Sequence, residues 1–350
     1  MERIPVGLVG VTGYTGMELA RLLIWHPSLE LVLATSRSQA GKPLAELYPF
    51  VQGTYLAGLT VTDSDPEEVA KSCRLVFLAI PHGAAMDLAA AFLEAGLKVV
   101  DLSADFRLKD PAVYQQWYGL EHRHQGILPQ AVYGLPELHA PEIAKTDLLA
   151  NPGCYPTSAI LGLWPALAAG VVETSDIVID SKSGVTGAGR TPCVPTLFCE
   201  VHDSFRAYGL AKHRHTPEIE QEISAIAGAG LTVSFNPHLV PMDRGILSTI
   251  YTKLTKPQTQ AEIQALYEEH YREHPWVRVL PPGRLPETRW VRGSMYCDLG
   301  LVVDHRTGRL IICSAIDNLC RGASGQAVAC ANLMLGLPMD EGLRLAPLMP

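Results

Sequence analysis

Short apolar runs alternate with amphipathic stretches through the first hundred positions. Residues 4–9 form an apolar run, a glycine-rich turn follows, and residues 17–23 place their apolar positions on one helical face. Residues 29–34 are the next strand-like run. A Pro/Gly-containing excursion over 41–58 interrupts the rhythm, which resumes with a helix over 66–72, a strand over 75–80, an Ala/Leu-rich helix over 84–94 and a strand over 98–102. Strands that are apolar almost throughout, each followed by a helix, predict a parallel sheet covered on both faces.

The pattern changes in the second half. An apolar stretch over 159–172 carries Gly162 and Pro165 and is too short to span a bilayer. Strands are expected over 176–181, 231–236, 245–253, 277–280, 295–303 and 310–315, with one helix over 260–273 and a last one ending near Leu335. Long strands with few helices predict an α+β domain on an antiparallel or mixed sheet. With 350 residues the chain is long enough for two cores.

Composition narrows the function classes. With 47% hydrophobic and 18% charged residues, the chain reads as an ordinary globular protein without a disorder signature. A formal charge of −8 argues against a broad nucleic-acid or anionic-membrane surface, though not against a local basic pocket. Eight cysteines show neither C-x-x-C pairs nor Cys/His ligand spacing, which predicts reduced thiols and no metal. The chain runs straight into its first strand with no secretory pattern, so a cytoplasmic protein is expected.

Candidate chemistry starts at the first turn. Gly10-Val11-Thr12-Gly13-Tyr14-Thr15-Gly16 lies between strand and helix, where backbone can approach a pyrophosphate at the helix start. The second strand ends in Thr35-Ser36-Arg37-Ser38, without the acid that binds the ribose hydroxyl of NAD. A hydroxyl and a guanidinium suit the 2′-phosphate of NADP, so Ser36 and Arg37 are cofactor candidates. Pro81 and His82 follow a strand end, where ligands bind in such sheets; His82 either lines the cofactor site or caps the next helix. Ser103 and Arg107 follow the next strand, with Arg107 in reach of the same cleft as an anion clamp or lying there as a surface residue.

Asn151-Pro152-Gly153-Cys154-Tyr155-Pro156-Thr157-Ser158 brings a cysteine to the mouth of the apolar helix. Pro156 suits the first helical position, because its missing N–H would have no intrahelical partner. Free N–H groups and the dipole favour an anion there, which makes Cys154 a candidate nucleophile or simply a buried thiol in a turn. Ser183-Gly184-Val185-Thr186-Gly187-Ala188-Gly189-Arg190 is a small-residue loop able to cradle an anion with backbone N–H groups, or a plain connection. Thr216-Pro217-Glu218 opens a helix, which puts His215 immediately before it as a candidate general base.

Four motifs occur in order: Gly10-x-x-Gly13-Tyr14-Thr15-Gly16-x-Glu18-Leu19, Asn151-Pro152-Gly153-Cys154-Tyr155-Pro156-Thr157, Lys212-His213-Arg214-His215-Thr216-Pro217-Glu218-Ile219 and Asp317-Asn318-Leu319-x-Arg321-Gly322-Ala323. Together they resemble the N-acetyl-γ-glutamyl-phosphate reductases of arginine biosynthesis, akin to aspartate-semialdehyde dehydrogenases and more distantly to glyceraldehyde-phosphate dehydrogenases. Ser158 departs from the Gly or Ala common in that family and adds a hydroxyl near the site.

The resemblance implies an α/β plus α+β architecture: a Rossmann-like NADP-binding domain from residues 1–153 plus 317–350, and a glyceraldehyde-phosphate-dehydrogenase-like α+β catalytic and dimerisation domain over 154–316. It implies Cys154 as nucleophile, His215 as acid/base, Asn318 near the nicotinamide, and Arg107, Ser158, Ser183, Gly184, Gly187 and Arg190 around the substrate phosphate. NADP and an acyl phosphate are the implied small-molecule partners, in a homodimer or homotetramer. Alternatives are the lysine-pathway reductase of an aminoadipyl phosphate, a Cys/His hydrolase and a non-catalytic NADP-binding redox sensor.

Overall fold

Apolar strands place the first sheet. The computed structural model describes residues 3–63 and 66–349. Strands β1 (Ile4–Val9), β2 (Leu29–Thr35), β3 (Leu75–Leu78), β4 (Lys98–Asp101), β5 (Val132–Tyr133) and β6 (Leu148–Ala150) form one sheet in the order β2-β1-β3-β4-β6-β5. Every pairing is parallel. All four residues of β3 are buried, as a central strand covered on both faces requires. Helices α1 (Tyr14–Leu23), α2 (Leu44–Leu47), α3 (Pro66–Ser72), α4 (Ala85–Glu94), α5 (Pro111–Tyr118) and α6 (Pro136–Ile143) connect the strands. The carboxyl ends of β1, β2, β3, β4 and β6 therefore share one edge, where parallel sheets bind ligands. Helices α5 and α6 and strands β5 and β6 carry too short a period to read from sequence. Asp110 and Pro111 start α5, with the Asp110 carboxylate accepting the Ala112 N–H at 2.8 Å.

In the second half, α7 (Cys154–Ala168) leads into β7 (Ile177–Ser183), α8 (Phe198–Val201), β8 (Arg206–Ala207), α9 (Thr216–Ala227), β9 (Val233–Leu239) and β10 (Ile246–Lys253). α10 (Gln260–His270), β11 (Val277–Val279), β12 (Cys297–Asp304) and β13 (Arg309–Ile316) follow. Their sheet runs β11-β12-β13-β10-β7-β9-β8; β11/β12 and β7/β9 are parallel and the rest antiparallel. This is the mixed sheet expected of an α+β domain.

Helix α7 packs on β10 and β13. A Cβ on Gly162 would lie 2.9 Å from Ile250 Cδ1 and 3.4 Å from Ile312 Cγ2, so the glycine lets helix and sheet approach closely. Pro165 cannot donate to the Leu161 carbonyl, and the Tyr271 hydroxyl donates to that oxygen instead. Tyr267 donates to the Gly162 carbonyl at 2.8 Å. The two residues that interrupt the apolar stretch in sequence thus sit inside one continuous helix. Alternate residues of β7 and β10 (Val178, Asp180 and Lys182; Leu247, Thr249 and Tyr251) are half-buried on the other side of the sheet.

The last helix, α11 (Gly325–Met334), packs on α1 and α6. One compact unit is Met1–Pro152 with Ala323–Leu345, and the other is Gly153–Gly322 with Ala346–Pro350. Asp317 stays with the second unit because its Oδ2 accepts the Gly293 N–H at 2.6 Å and its Oδ1 accepts from Leu319 and Cys320. The end of the chain follows suit, with Leu348 donating its N–H to the Arg292 carbonyl. Among the described residues, no helix is long and apolar enough to cross a membrane.

Candidate active site

Within the first unit, the turn after β1 has the form a nucleotide needs. Gly10 has φ +94°, and a Cβ there would meet the Ala79 carbonyl, so only glycine fits. Gly16 is held the same way against the Gly10 carbonyl. Gly13 is the N-cap of α1, carries no side-chain cap, and a Cβ there would meet nothing within 4 Å. The start of α1 thus lies against open space, as an anion site on Tyr14, Thr15 and Gly16 requires. Thr12 and Ser36 hydroxyls are 3.4 Å apart, and Arg37 beside them is exposed. These residues fit a pyrophosphate and a ribose 2′-phosphate.

At the ends of β3 and β4 the side chains serve the loops. His82 Nδ1 accepts the Ala104 N–H at 3.0 Å, so it joins two loops and does not cap α4. The acceptor at the start of α4 is Asp105, whose carboxylate takes the Gly83 and Ala85 N–H groups at 2.7 and 3.1 Å and the Tyr114 hydroxyl at 2.7 Å. Ser103, expected at the cofactor, is buried; it donates to Asp101 Oδ2 and accepts the Asp105 N–H. Burial, and then the Asp105 charge, push the Asp101 carboxyl up to about 7. Arg107 is buried and donates from Nε to the Asn151 carbonyl at 2.7 Å and from Nη2 to Leu102 at 3.0 Å. It is therefore no surface residue, and it shapes the chain just ahead of the cysteine. Pro81 is exposed.

The second unit holds the cysteine and histidine. Cys154 is the first residue of α7 and half-buried, and Pro156 is the third helical residue instead of the first. Its missing N–H still falls among those with no intrahelical acceptor. The positive end of α7 favours an anion at Cys154. His215 is the N-cap of α9, and α7 packs on α9. Two contacts tie these helix starts together: Glu218 Oε1 accepts the Gly153 N–H at 2.7 Å, and the Tyr155 ring lies edge-on to His215 at 5.8 Å. Gly322 backs onto Cys154, since a Cβ there would sit 2.7 Å from Cys154 Cβ.

Around this pair, Tyr155 and Tyr208 share a hydroxyl hydrogen bond of 2.8 Å. Burial raises both phenols, Tyr208 to about 12, so both stay protonated. His213 lies edge-on to Tyr155, Tyr208, Phe235 and His215.

Two expectations for this unit are corrected, and Asn318 is given its partners. The loop after β7 is a tight turn whose N–H groups are already used: Gly184 donates to Gly245, Val185 to Met242, Thr186 to Asp243 and Gly187 to Gly184. It cannot cradle an anion on those donors, and Ser183, buried, donates to the Gly184 carbonyl; Gly187 and Arg190 are exposed. Ser158 is fully buried and its hydroxyl is hydrogen-bonded with those of Ser248 at 2.9 Å and Ser314 at 3.0 Å, which makes it a link between helix and sheet and no substrate contact. The Asn318 amide accepts from Gly245 N–H at 2.8 Å and donates to Thr186 at 3.0 Å, so it braces that turn.

Sequence reasoning missed Glu218, Asp105 and Gly322 as site-shaping residues. An acid at the third position of a helix was the one available signal for Glu218.

A dinucleotide cradle joined in one chain to a helix-start cysteine and histidine on a mixed sheet defines the semialdehyde dehydrogenase class. Residues 5–146 match the family model "Semialdehyde dehydrogenase, NAD binding domain" and residues 154–318 match "Semialdehyde dehydrogenase, dimerisation domain". The chain is 53% identical to N-acetyl-gamma-glutamyl-phosphate reductase of Desulfotalea psychrophila (strain LSv54 / DSM 12343), over 99% of this chain and 100% of that protein. It is also 53% identical to the protein of that name from Geobacter metallireducens (strain ATCC 53774 / DSM 7210 / GS-15), again over 99% and 100%. The chain belongs to the N-acetyl-γ-glutamyl-phosphate reductase family. In fold it is similar to aspartate semialdehyde dehydrogenase II from Vibrio cholerae, at TM-score 0.73 and 16% identity over 96% of this chain and 99% of that one. Aspartate semialdehyde dehydrogenase with NADP from Candida albicans gives TM-score 0.69 and 17% identity over 95% and 99%.

Proposed function

We propose that this enzyme reduces N-acetyl-γ-glutamyl phosphate to N-acetylglutamate semialdehyde with release of phosphate, through a thioester on Cys154. The observation that carries this reading is the placing of Cys154 at the first position of α7 and His215 at the N-cap of α9, on two helices that pack together. An acyl phosphate is an activated carbonyl. The Cys154 thiolate attacks its carbon, the bond to phosphate oxygen breaks with its electron pair, and a thioester remains. A thioester accepts hydride far more readily than a carboxylate, which is the gain from two steps.

NADPH, held by the Gly10–Gly16 turn with Ser36 and Arg37 at its 2′-phosphate, supplies the hydride when bound. The resulting hemithioacetal oxyanion is stabilised by N–H groups at the start of α7 and by a proton from His215. Collapse reforms the carbonyl, breaks the C–S bond, returns the electron pair to sulfur and the proton to His215. Arg107 fixes the Asn151 carbonyl in the turn before Cys154.

The half-buried far side of the second sheet, with Leu247, Thr249 and Tyr251, suits assembly into a homodimer or a homotetramer. Eight free thiols suit the reducing cytoplasm, where we place the protein.

The test is the reverse reaction with N-acetylglutamate semialdehyde, phosphate and NADP. NADPH formation should require phosphate and vanish in Cys154→Ala, while the aminoadipyl analogue should turn over more slowly. Full turnover by Cys154→Ala would reject the thioester route.

A further inference from the structure

We infer that Glu218 is the positioning residue for Cys154: its carboxylate, carried by α9, accepts the Gly153 N–H at 2.7 Å and locks the start of α7 to the helix that bears His215. The inference rests on the Cys154/His215 reading and deepens it.

Gly153 is the N-cap of α7, with φ −69° and ψ 155°, and α7 has no side-chain cap of its own. Glycine resists rotation less than any other residue, so the peptide leading into Cys154 needs an outside restraint. Glu218 is the third residue of α9. From that position an acid ordinarily returns to the N–H of its own N-cap. Here the His215 N–H is already taken by His213 Nδ1 at 3.1 Å, and Glu218 reaches across to the neighbouring helix. Its side chain is 1% exposed, and it lies at the starts of two helices, both of which favour negative charge. Hydrogen bonds from N–H to a carboxylate are roughly twice as strong as neutral ones. Gly153 precedes the nucleophile directly, and Glu218 follows His215 by three residues. This bond therefore constrains the spacing of sulfur and imidazole, at a centre where a 1 Å error costs on the order of a hundredfold in rate.

The experiment compares Glu218→Ala, Glu218→Gln and Glu218→Asp in the full-length enzyme. Steady-state kcat and KM are measured in the phosphate-dependent reaction. Separately, alkylation by iodoacetamide is followed across pH on the Cys154-containing peptide by mass spectrometry. Glu218→Ala should lower kcat by about 10- to 100-fold with KM within about threefold, and should shift the Cys154 alkylation profile. Glu218→Gln keeps an acceptor oxygen at the same reach and should recover most of both, whereas Glu218→Asp is one methylene short and should not.

Wild-type kcat and an unchanged alkylation profile in folded Glu218→Ala would overturn the proposal, as would Gln behaving no better than Asp. If the Ala variant does not fold, the Gln-against-Asp comparison decides alone. Alkylation needs no substrate, so a failure of the proposed reaction leaves this arm readable.

Discussion

His213 Nδ1 accepts the backbone N–H of His215 at 3.1 Å, so one imidazole holds the main chain beneath another. That nitrogen can accept only while it carries no proton. The neutral ring therefore keeps its proton on Nε2. Burial among Tyr155, Tyr208 and Phe235, and then the Arg214 charge, lower His213 to about 4 from 6.5.

A pH dependence follows from that shift. Between the folded value near 4 and the unfolded 6.5, the unfolded chain binds more protons. Stability from this group is full above 6.5 and is lost as pH falls through about 4, by at most about 3 kcal/mol. His213→Asn keeps an acceptor for the His215 N–H in an Asx-type turn but does not titrate. Urea midpoints between pH 4 and 6.5 should fall less steeply for this variant than for wild type; parallel curves would remove His213 as the cause.

Gly322→Ala tests the packing behind the nucleophile. The new methyl group would lie 2.7 Å from Cys154 Cβ and 3.0 Å from its Cα, with no flexible chain end to yield. Turnover should drop by about tenfold or more as Cys154 shifts. A crystal structure of the variant with Cys154 unmoved and kcat unchanged would show that the backbone absorbs the methyl elsewhere.

Arg37→Ala tests the proposed contact with the 2′-phosphate. Charged hydrogen bonds are worth about 1.5–3 kcal/mol, so Arg37→Ala should raise KM for NADPH by roughly tenfold or more. Turnover with NADH, which has no 2′-phosphate, should stay as it was. Added salt should raise the NADPH KM of wild type more than that of the variant, because Arg37 is exposed and screened.

Ser158→Ala separates a structural hydroxyl from a substrate contact. Removing it strips partners from Ser248 and Ser314 in a fully buried layer, at a cost of about 1–3 kcal/mol in chemical denaturation. KM should remain at the wild-type value. A raised KM with unaltered stability would return Ser158 to the substrate.

The parallel sheet was readable because β1 and β3 are apolar along their length and carry a glycine turn or a helix directly after them. The places of Cys154 and His215 were readable because helix starts announce themselves locally, through proline and acids in the first turn. What lets α7 hold Gly162 and Pro165 was not readable, since it depends on Ile250, Ile312 and Tyr271, the last more than a hundred residues away along the chain. The loop after β7 was left open between an anion cradle and a plain connection for a related reason. Its small residues permit either, and the carbonyls of Met242, Asp243 and Gly245 take the N–H groups of Val185, Thr186 and Gly184.

Local order along the chain was thus enough for the two kinds of domain, the glycine turn after β1 and the helix-start places of Cys154 and His215, because each depends on neighbours within one helical turn or one strand. Which polar groups remain available for a ligand was settled by folding. Ser158 and Asn318 are spent on partners tens of residues distant and Ser183 on the carbonyl of the next residue, while Glu218 gains its role from a glycine 65 residues earlier. A buried hydrogen-bonding group must find a partner, and that partner is chosen by packing across the chain.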